Sequence, residues 1–473
     1  MADICIIYVR EDAKKAAAFL QRFLKQQWSV WRDVNIVKGD FRKEIKRQIS
    51  IAGCIIPIWS EKAEFNRWLH DELAAADKNN VPILPVRIHN VDAPMGYGNL
   101  QADEAIGWSA DSVTPEIANL SNRIQQTLAE RKEPSKHRLQ MMATRRPTSL
   151  PAFFFSVSSH ETRLTPGAAL DALDLFEARP ILISAYDMAK GRRTRGTFPK
   201  LREMQRKGAT ILLDSGNYEK ARREDPSWSR NKYYEAVAET PHDLAFHYDD
   251  LQPSKQYKKL LGEIIHAVEL DTKRTKKQIL PIVHLPKTAA GHHDINMAPK
   301  LMLDVARELK PPLIAIPERE LGASVFERVA TMRAIRLELH DLHFYQPIHI
   351  LGAGNPLAVS LLAAAGADSF DGLEWCRYVI DEMTKTLHHF QHYELFKYQD
   401  KLNASSVTQQ AAVSDDVPYT GKAIFHNLGI YGTWFDQLRN AVADDRRLML
   451  YLADIVPQNA RPMAKDVLPE LFP

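Results

Sequence analysis

The strongest constraint on this chain is a serial repeat of short apolar runs, each followed by a stretch of helical length. Between residues 150 and 376 the runs AFFFSV, PILISA, ATILLDS, LAFHYDD, ILPIVHL, PLIAIPE, PIHILGAG and DSFDGLE succeed one another. Continuously apolar runs of strand length belong to strands buried on both faces, and helix-length spacers between them are crossovers. Eight such units predict a (β/α)8 TIM-barrel domain over 150–385, followed by a helical C-terminal extension over 386–473. Working groups in such barrels stand at the carboxyl ends of the strands. Asp214, Asp249, Glu318 and Asp371 all fall at such ends.

A shorter series comes first. DICIIYV, SVWRD, CIIPIWS and VPILPVRI alternate with an Ala-rich helical stretch to about residue 27, with FRKEIKRQISIA, and with a helix over about 64–77. This predicts a doubly wound α/β domain over 1–130, a parallel sheet flanked by helices. Ligands of such sheets bind beyond the strand carboxyl ends, here the loops after SVWRD and CIIPIWS. A length of 473 residues, too great for one ordinary core, agrees with more than one domain. Between the two series, RKEPSKHRLQMMATRRPTS at 131–149 loses periodicity and gains proline and positive charge. It reads as an exposed basic linker, either a solvated hinge or a strap that touches phosphate. In the tail, the polar stretch NASSVTQQAAVSDD reads as an exposed loop.

Lys and Arg number 62 against 59 acidic residues, so bulk charge does not call for a nucleic-acid partner. The three cysteines, Cys5, Cys54 and Cys376, have no CxxC spacing, which argues against a disulfide framework or a thiolate zinc site. No apolar run approaches membrane-spanning length, and the opening MADICIIYVRED lacks a signal-peptide pattern. A cytoplasmic protein without a membrane partner is the expectation.

The helix at 64–77 carries Trp68 and, one turn later, Glu72. Residues four apart share a helical face, so an indole and a carboxylate can line one wall of a cleft. The opening DICIIYVRED, the stretch VWRDVNIVKGDFRKEIKRQI and the combination WSEKAEFNRWLHDE resemble the TIR family over most of residues 1–130, with its flavodoxin-like fold. They correspond to its first strand, its BB loop and its strand-to-helix acid motif. The chain has Ile7 and Val9 where serines commonly follow the family's first strand. Enzymatic members cleave NAD between nicotinamide and ribose with a glutamate at the position of Glu72. The resemblance therefore implies NAD as substrate and Glu72 as catalytic residue. Trp31, Asp33, Arg10 and Trp68 would line the binding mouth. Other members are scaffolds that bind further TIR domains.

Over roughly 150–450 the chain resembles the tRNA-guanine transglycosylase superfamily, including its relatives that act on DNA. ILLDSGNYE is similar to that family's DSGGFQ, YDDLQP to FDECTP, and HILGAGNPLAVSLLAAAGADSFDGLEWCR to its MGVGTP…FDCVLPTR block. AIFHNLGIYGTWFDQLRNAV resembles its terminal HNL segment. This implies Asp371 as covalent nucleophile, Asp214 as proton-transfer or base-contacting acid, and Asp249 with Arg377 as base contacts. His284 stands where the family has glutamine, and Pro317, Glu318 and Arg319 replace glycines of a base-binding segment. His284 and Glu318 would therefore meet a different base, or none. The family's structural zinc uses CxCxxC and the HNL histidine; His426 remains but the cysteines do not, so no metal is expected. HHFQH, with His388, His389 and His392, reads as a satisfied cluster on a helix.

Together the resemblances imply an NAD glycohydrolase effector governed by a transglycosylase-like sensor, of the kind found in prokaryotic antiviral defence by NAD depletion. A homo-oligomer through TIR and barrel contacts is expected, with a nucleic acid or nucleobase as the barrel's ligand. A second reading is a tRNA or DNA base-exchange transglycosylase whose TIR domain only recruits partners, and a third makes both domains inactive adaptors.

Overall fold

The computed structural model describes residues 3–32, 45, 48–49, 52–78, 81–132, 138–142, 148–160, 162–190 and 196–472. The chain divides into two compact units, Met1–Lys136 and His137–Pro473.

The first unit is a five-stranded parallel sheet of β1 (Ile4–Ile7), β2 (Val30–Arg32), β3 (Cys54–Trp59), β4 (Val86–Arg87) and β5 (Asp103–Glu104), in the order β2-β1-β3-β4-β5. Strand periodicity divides β1 between two cores. Ile4 and Ile6 pack on one face with Leu20, Ile117 and Ile124, whereas Cys5 and Ile7 pack on the other with Leu69 and Leu73. Helices Lys14–Leu24 and Pro115–Lys132 supply the first set, and helix Arg67–Lys78 the second. β5 escapes a reading of the sequence because it is two acidic residues long. Asp103 is buried there by an ion pair of 2.6 Å with Arg123 and a hydrogen bond of 2.7 Å from Asn119.

In the second unit a short hairpin, β6 (Met141–Met142) with β7 (Thr148–Ser149), leads into eight parallel strands. These are β8 (Ala152–Val157), β9 (Ile181–Ser184), β10 (Ile211–Asp214), β11 (Leu244–Phe246), β12 (Ile279–Leu280), β13 (Ile314–Pro317), β14 (Ile348–Leu351) and β15 (Ser369–Gly372). All eight predicted runs contribute one strand each. Their order is β12-β11-β10-β9-β8-β15-β14-β13, and a parallel bridge from Ile282 to Ala315 joins the two ends into a nearly closed barrel. Alternation again sorts the side chains: Phe154, Leu182, Leu212, Phe246 and Leu280 fill the inside, while Phe153, Ile183, Leu213 and Ile316 face the surrounding helices.

Several described residues of the expected linker 131–149 are structured. Residues up to Lys132 finish the preceding helix. Met142 joins the barrel's inner cluster, and Arg138 forms an ion pair of 3.2 Å with the buried Asp368. NASSVTQQAAVSDD is not an exposed loop: it contains helix Ser406–Val413, capped by Ser405, with Thr408 and Ala411 buried. Thr408 donates to the Phe425 carbonyl at 2.8 Å, so its hydroxyl is satisfied inside a packed contact that composition does not reveal. The histidines of HHFQH also differ from expectation. His388 and His389 lie in β17 (Leu387–His389), which pairs antiparallel with β16 (Tyr378–Ile380), and only His392 sits in a short helical turn. Helix Tyr419–Val442 buries Tyr431, Trp434 and Phe435 against the outer face of β8, where Phe153 lies 4.7 Å from the Tyr431 ring. Among the described residues no helix is long and apolar enough to cross a membrane.

Candidate functional site

The carboxyl ends of the barrel strands enclose a cavity of about 280 Å³. Asp214, Asp249, His284, Glu318, Asp371 and Arg377 all line it, so residues separated by up to 163 positions in the chain meet in one mouth.

Each is held by its own local geometry. Asp371, in β15, accepts from the Ser156 hydroxyl of β8 at 2.6 Å and from the Gly352 amide at 2.9 Å, with His349 Nε2 at 3.2 Å. His349 is fixed in turn by Ser369 Oγ at 2.8 Å from its other nitrogen. This orientation leaves little freedom to a group expected to face a reacting carbon. Asp214 ends β10, and the chain turns at once through Gly216, whose φ is +79°. A Cβ on Gly216 would lie 2.5 Å from Tyr186 Cβ, so only glycine permits the close approach that starts helix Asn217–Arg222 and carries Tyr218 and Glu219 to the mouth.

Beyond β11 and β12 lies a buried chain of charge. His284 Nε2 is 2.9 Å from Asp249 Oδ2, and its Nδ1 is 2.8 Å from Glu320 Oε1. Glu320 also accepts from the Leu285 amide at 2.7 Å, and Asn217 donates to the Asp249 carbonyl at 2.8 Å. Burial works against a charged imidazole, but its hydrogen bonds to both carboxylates outweigh it and push His284 up to about 10. Burial would raise Asp249 as well, yet the hydrogen bond and charge of His284 hold its carboxyl well below the usual range. Asp249 is thus an ionised acceptor at the mouth.

Asp214 has the opposite character. Burial, reinforced by the charges of Glu219, Asp249 and Asp371, raises it well above an ordinary carboxyl. Glu318 is raised by burial against the opposing influence of Arg328, its ion-pair partner at 3.0 Å. Glu219 and Glu374 line the same cavity and were not among the residues singled out from sequence. Both are pushed up to about 7, first by burial. Neighbouring acids add to this, Asp187 for Glu219, and Glu318 with Asp371 for Glu374, against the opposing Arg377. Glu219 stands inside ILLDSGNYE and Glu374 inside DSFDGLE, stretches whose resemblance rests on other residues. Tyr218 also lines the mouth, with the guanidinium of Arg319 5.1 Å from its ring centre.

His426 is engaged on both nitrogens, by Asp400 at 2.6 Å and the Ile380 carbonyl at 2.8 Å. Among the described residues no group of three histidines, cysteines or acids is arranged to hold a metal.

In the first unit, Glu72 lies on helix Arg67–Lys78 and is half-buried, whereas Trp68 is 54% exposed. Asn66 Oδ1 accepts from the Leu69 amide at 3.0 Å at the start of this helix, satisfying a donor that the helix itself leaves unpaired. The helix is anchored through Leu69, Leu73 and Ala76, and the half-buried Trp31 of β2 packs against the same cluster. The loop between β3 and the helix is fixed by Asp12, which accepts from the Ser60 hydroxyl and the Lys62 amide, each at 2.8 Å. Arg10 is exposed. Asp33 and most of the stretch expected to form the BB loop lie outside the described residues.

Residues 4–115 match the family model described as TIR domain. The match ends ahead of the barrel, to which it assigns no family. Comparison with curated proteins gives no match to the chain.

Proposed function

We propose that the chain cleaves NAD through its TIR domain and that the barrel is the sensor governing this activity. The observation that carries the reading is the TIR match over residues 4–115 together with a half-buried carboxylate, Glu72, on the helix that follows β3. TIR domains of this family often hydrolyse NAD. Departure of nicotinamide leaves oxocarbenium character on the ribose, and the Glu72 carboxylate stabilises that charge or holds the ribose hydroxyls. Trp31, Trp68 and Arg10 would line the approach, Trp31 by stacking on a ring. Self-association through TIR surfaces completes the site, and the role fits defence by NAD depletion in a microbial cell. The test is nicotinamide release from NAD by the purified full-length chain. Wild type releases nicotinamide and Glu72→Gln loses the activity; an unchanged rate in the variant removes Glu72 from the chemistry.

A second reading is favoured by one specific observation, the convergence of Asp214, Asp249 and Asp371 on a single cavity. In a base-exchange reaction Asp371 would attack the anomeric carbon while Asp214 passes its proton to the departing base, with Asp249 and Arg377 holding the base edge. His284 and Glu318 would then set which base enters. Exchange of labelled guanine into tRNA or DNA, lost in Asp371→Ala, supports this reading; absence of exchange leaves the barrel as a binding domain.

A further inference from the structure

We propose that the barrel mouth is a receptor for a small organic cation rich in N–H donors, an amidinium or amine, with Glu219 as its principal acceptor and Glu374 as a second. The claim stands on the barrel alone and does not depend on what Glu72 does.

Six carboxyl groups line the cavity, those of Asp214, Glu219, Asp249, Glu318, Asp371 and Glu374. Asp249 is neutralised by His284, Glu318 by Arg328, and Asp371 is engaged by Ser156, Gly352 and His349. Glu219 differs. Only 5% exposed, it accepts one hydrogen bond, from Ser158 at 2.9 Å, while its second oxygen has no hydrogen-bond partner. Ser184, at the end of β9, faces Glu219 and draws its carboxyl down, and its Oγ has no other hydrogen-bond partner. Glu374 Oε2 completes the set. Two of these three atoms are carboxyl oxygens, acceptors once ionised, and the third is a hydroxyl. Buried polar atoms are almost always satisfied, so a mouth whose unmet demand consists of acceptors calls for a ligand that brings donors. Charge gives the same answer, because N–H donors on a cation make the stronger hydrogen bonds to carboxylate. A cavity of about 280 Å³ limits the ligand to metabolite size.

The empty site holds protons where the ligand's charge would go. Glu219 and Glu374 sit at about 7, so a bound cation displaces protons from them at neutral pH. The groups that bear on Glu219 are Asp187, Asp214, Ser158 and Ser184, with Arg223 and Lys190 behind Asp187. Those that bear on Glu374 are Arg377, Glu318, Asp371, Cys376 and Tyr431. Cation affinity therefore rises as pH passes upward through about 7, the range in which both acids ionise.

Calorimetric titration of the full-length chain, without NAD, tests the proposal with benzamidine and agmatine as cationic probes and benzamide and benzoate as the neutral and anionic counterparts. At least one cation binds with release of protons, read from heats in two buffers of different ionisation enthalpy, and neither counterpart does. Glu219→Gln weakens the cation about tenfold or more, the effect expected for losing a charge-assisted contact. Should that variant fail to fold, Glu374→Gln, on a different strand end, gives the same reading. A merely structural role for Glu219 would shift the melting temperature without changing proton release. The proposal is overturned if neither cation binds, if benzamide or benzoate binds as well, or if folded Glu219→Gln and Glu374→Gln both bind as wild type does.

Discussion

His284 is a cation only because two carboxylates hold it, and its charge therefore belongs to the folded state. Its folded value, about 10, lies above the ordinary 6.5. The stabilisation is fully present below pH 6.5 and is lost as pH rises through about 10. Asp249, held low by the same contact, contributes above the ordinary carboxylate range and ceases to do so as pH falls through its folded value. Chemical denaturation across pH 5–10 is expected to show the descending alkaline limb in wild type and to lack it in His284→Gln. That variant also loses about 3–5 kcal/mol at neutral pH, because Asp249 and Glu320 stay buried without their cation. Glu219 works the other way. Its folded value of about 7 exceeds the ordinary 4.5, so the folded state holds a proton that the unfolded chain gives up, and stability falls as pH rises between them. Glu219→Gln is expected to melt higher than wild type at pH 7.5. Asp249 and His284 were legible in the sequence as residues but not as a pair. Their partner Glu320 lies 36 positions from His284, and only folding brings them together.

At the scale of elements, the barrel strands were legible because burial on both faces leaves them continuously apolar. The acids at their ends followed from position alone. What stayed hidden were elements defined by contacts rather than by pattern: β5, two acidic residues held by Arg123, and helix Ser406–Val413, whose polar side chains are satisfied by packing. His349 was also missed. It sits in the middle of β14 between Ile348 and Ile350, where strand alternation turns it toward the barrel interior and Asp371. The turn after β10 offers the sharpest test of element geometry. Gly216→Ala places a Cβ in the left-handed region and against Tyr186, and a loss of about 2–4 kcal/mol is expected from urea unfolding midpoints. Because this turn starts the helix bearing Glu219, the variant should also lose cation binding. Retention of both stability and binding would mean that the turn does not position the site.

For the molecule as a whole, the proposed function puts chemistry in one unit and recognition in the other. Two units were legible from the change between two strand series, and the TIR character of the first from its motifs. The cation proposed for the barrel was not, since the atoms that would meet it, Glu219 Oε2 and Glu374 Oε2, lie on helices after two different strands and are informative only through the partners they lack. The division of labour is tested most directly by following nicotinamide release from NAD with Glu72→Gln and Asp371→Ala side by side, both checked for native melting. The prediction is a loss of at least about a hundredfold in Glu72→Gln, the scale of removing one charge-stabilising group from a reacting centre, with basal cleavage retained in Asp371→Ala. Cleavage that survives in Glu72→Gln and disappears in Asp371→Ala would move the chemistry to the barrel and contradict the account.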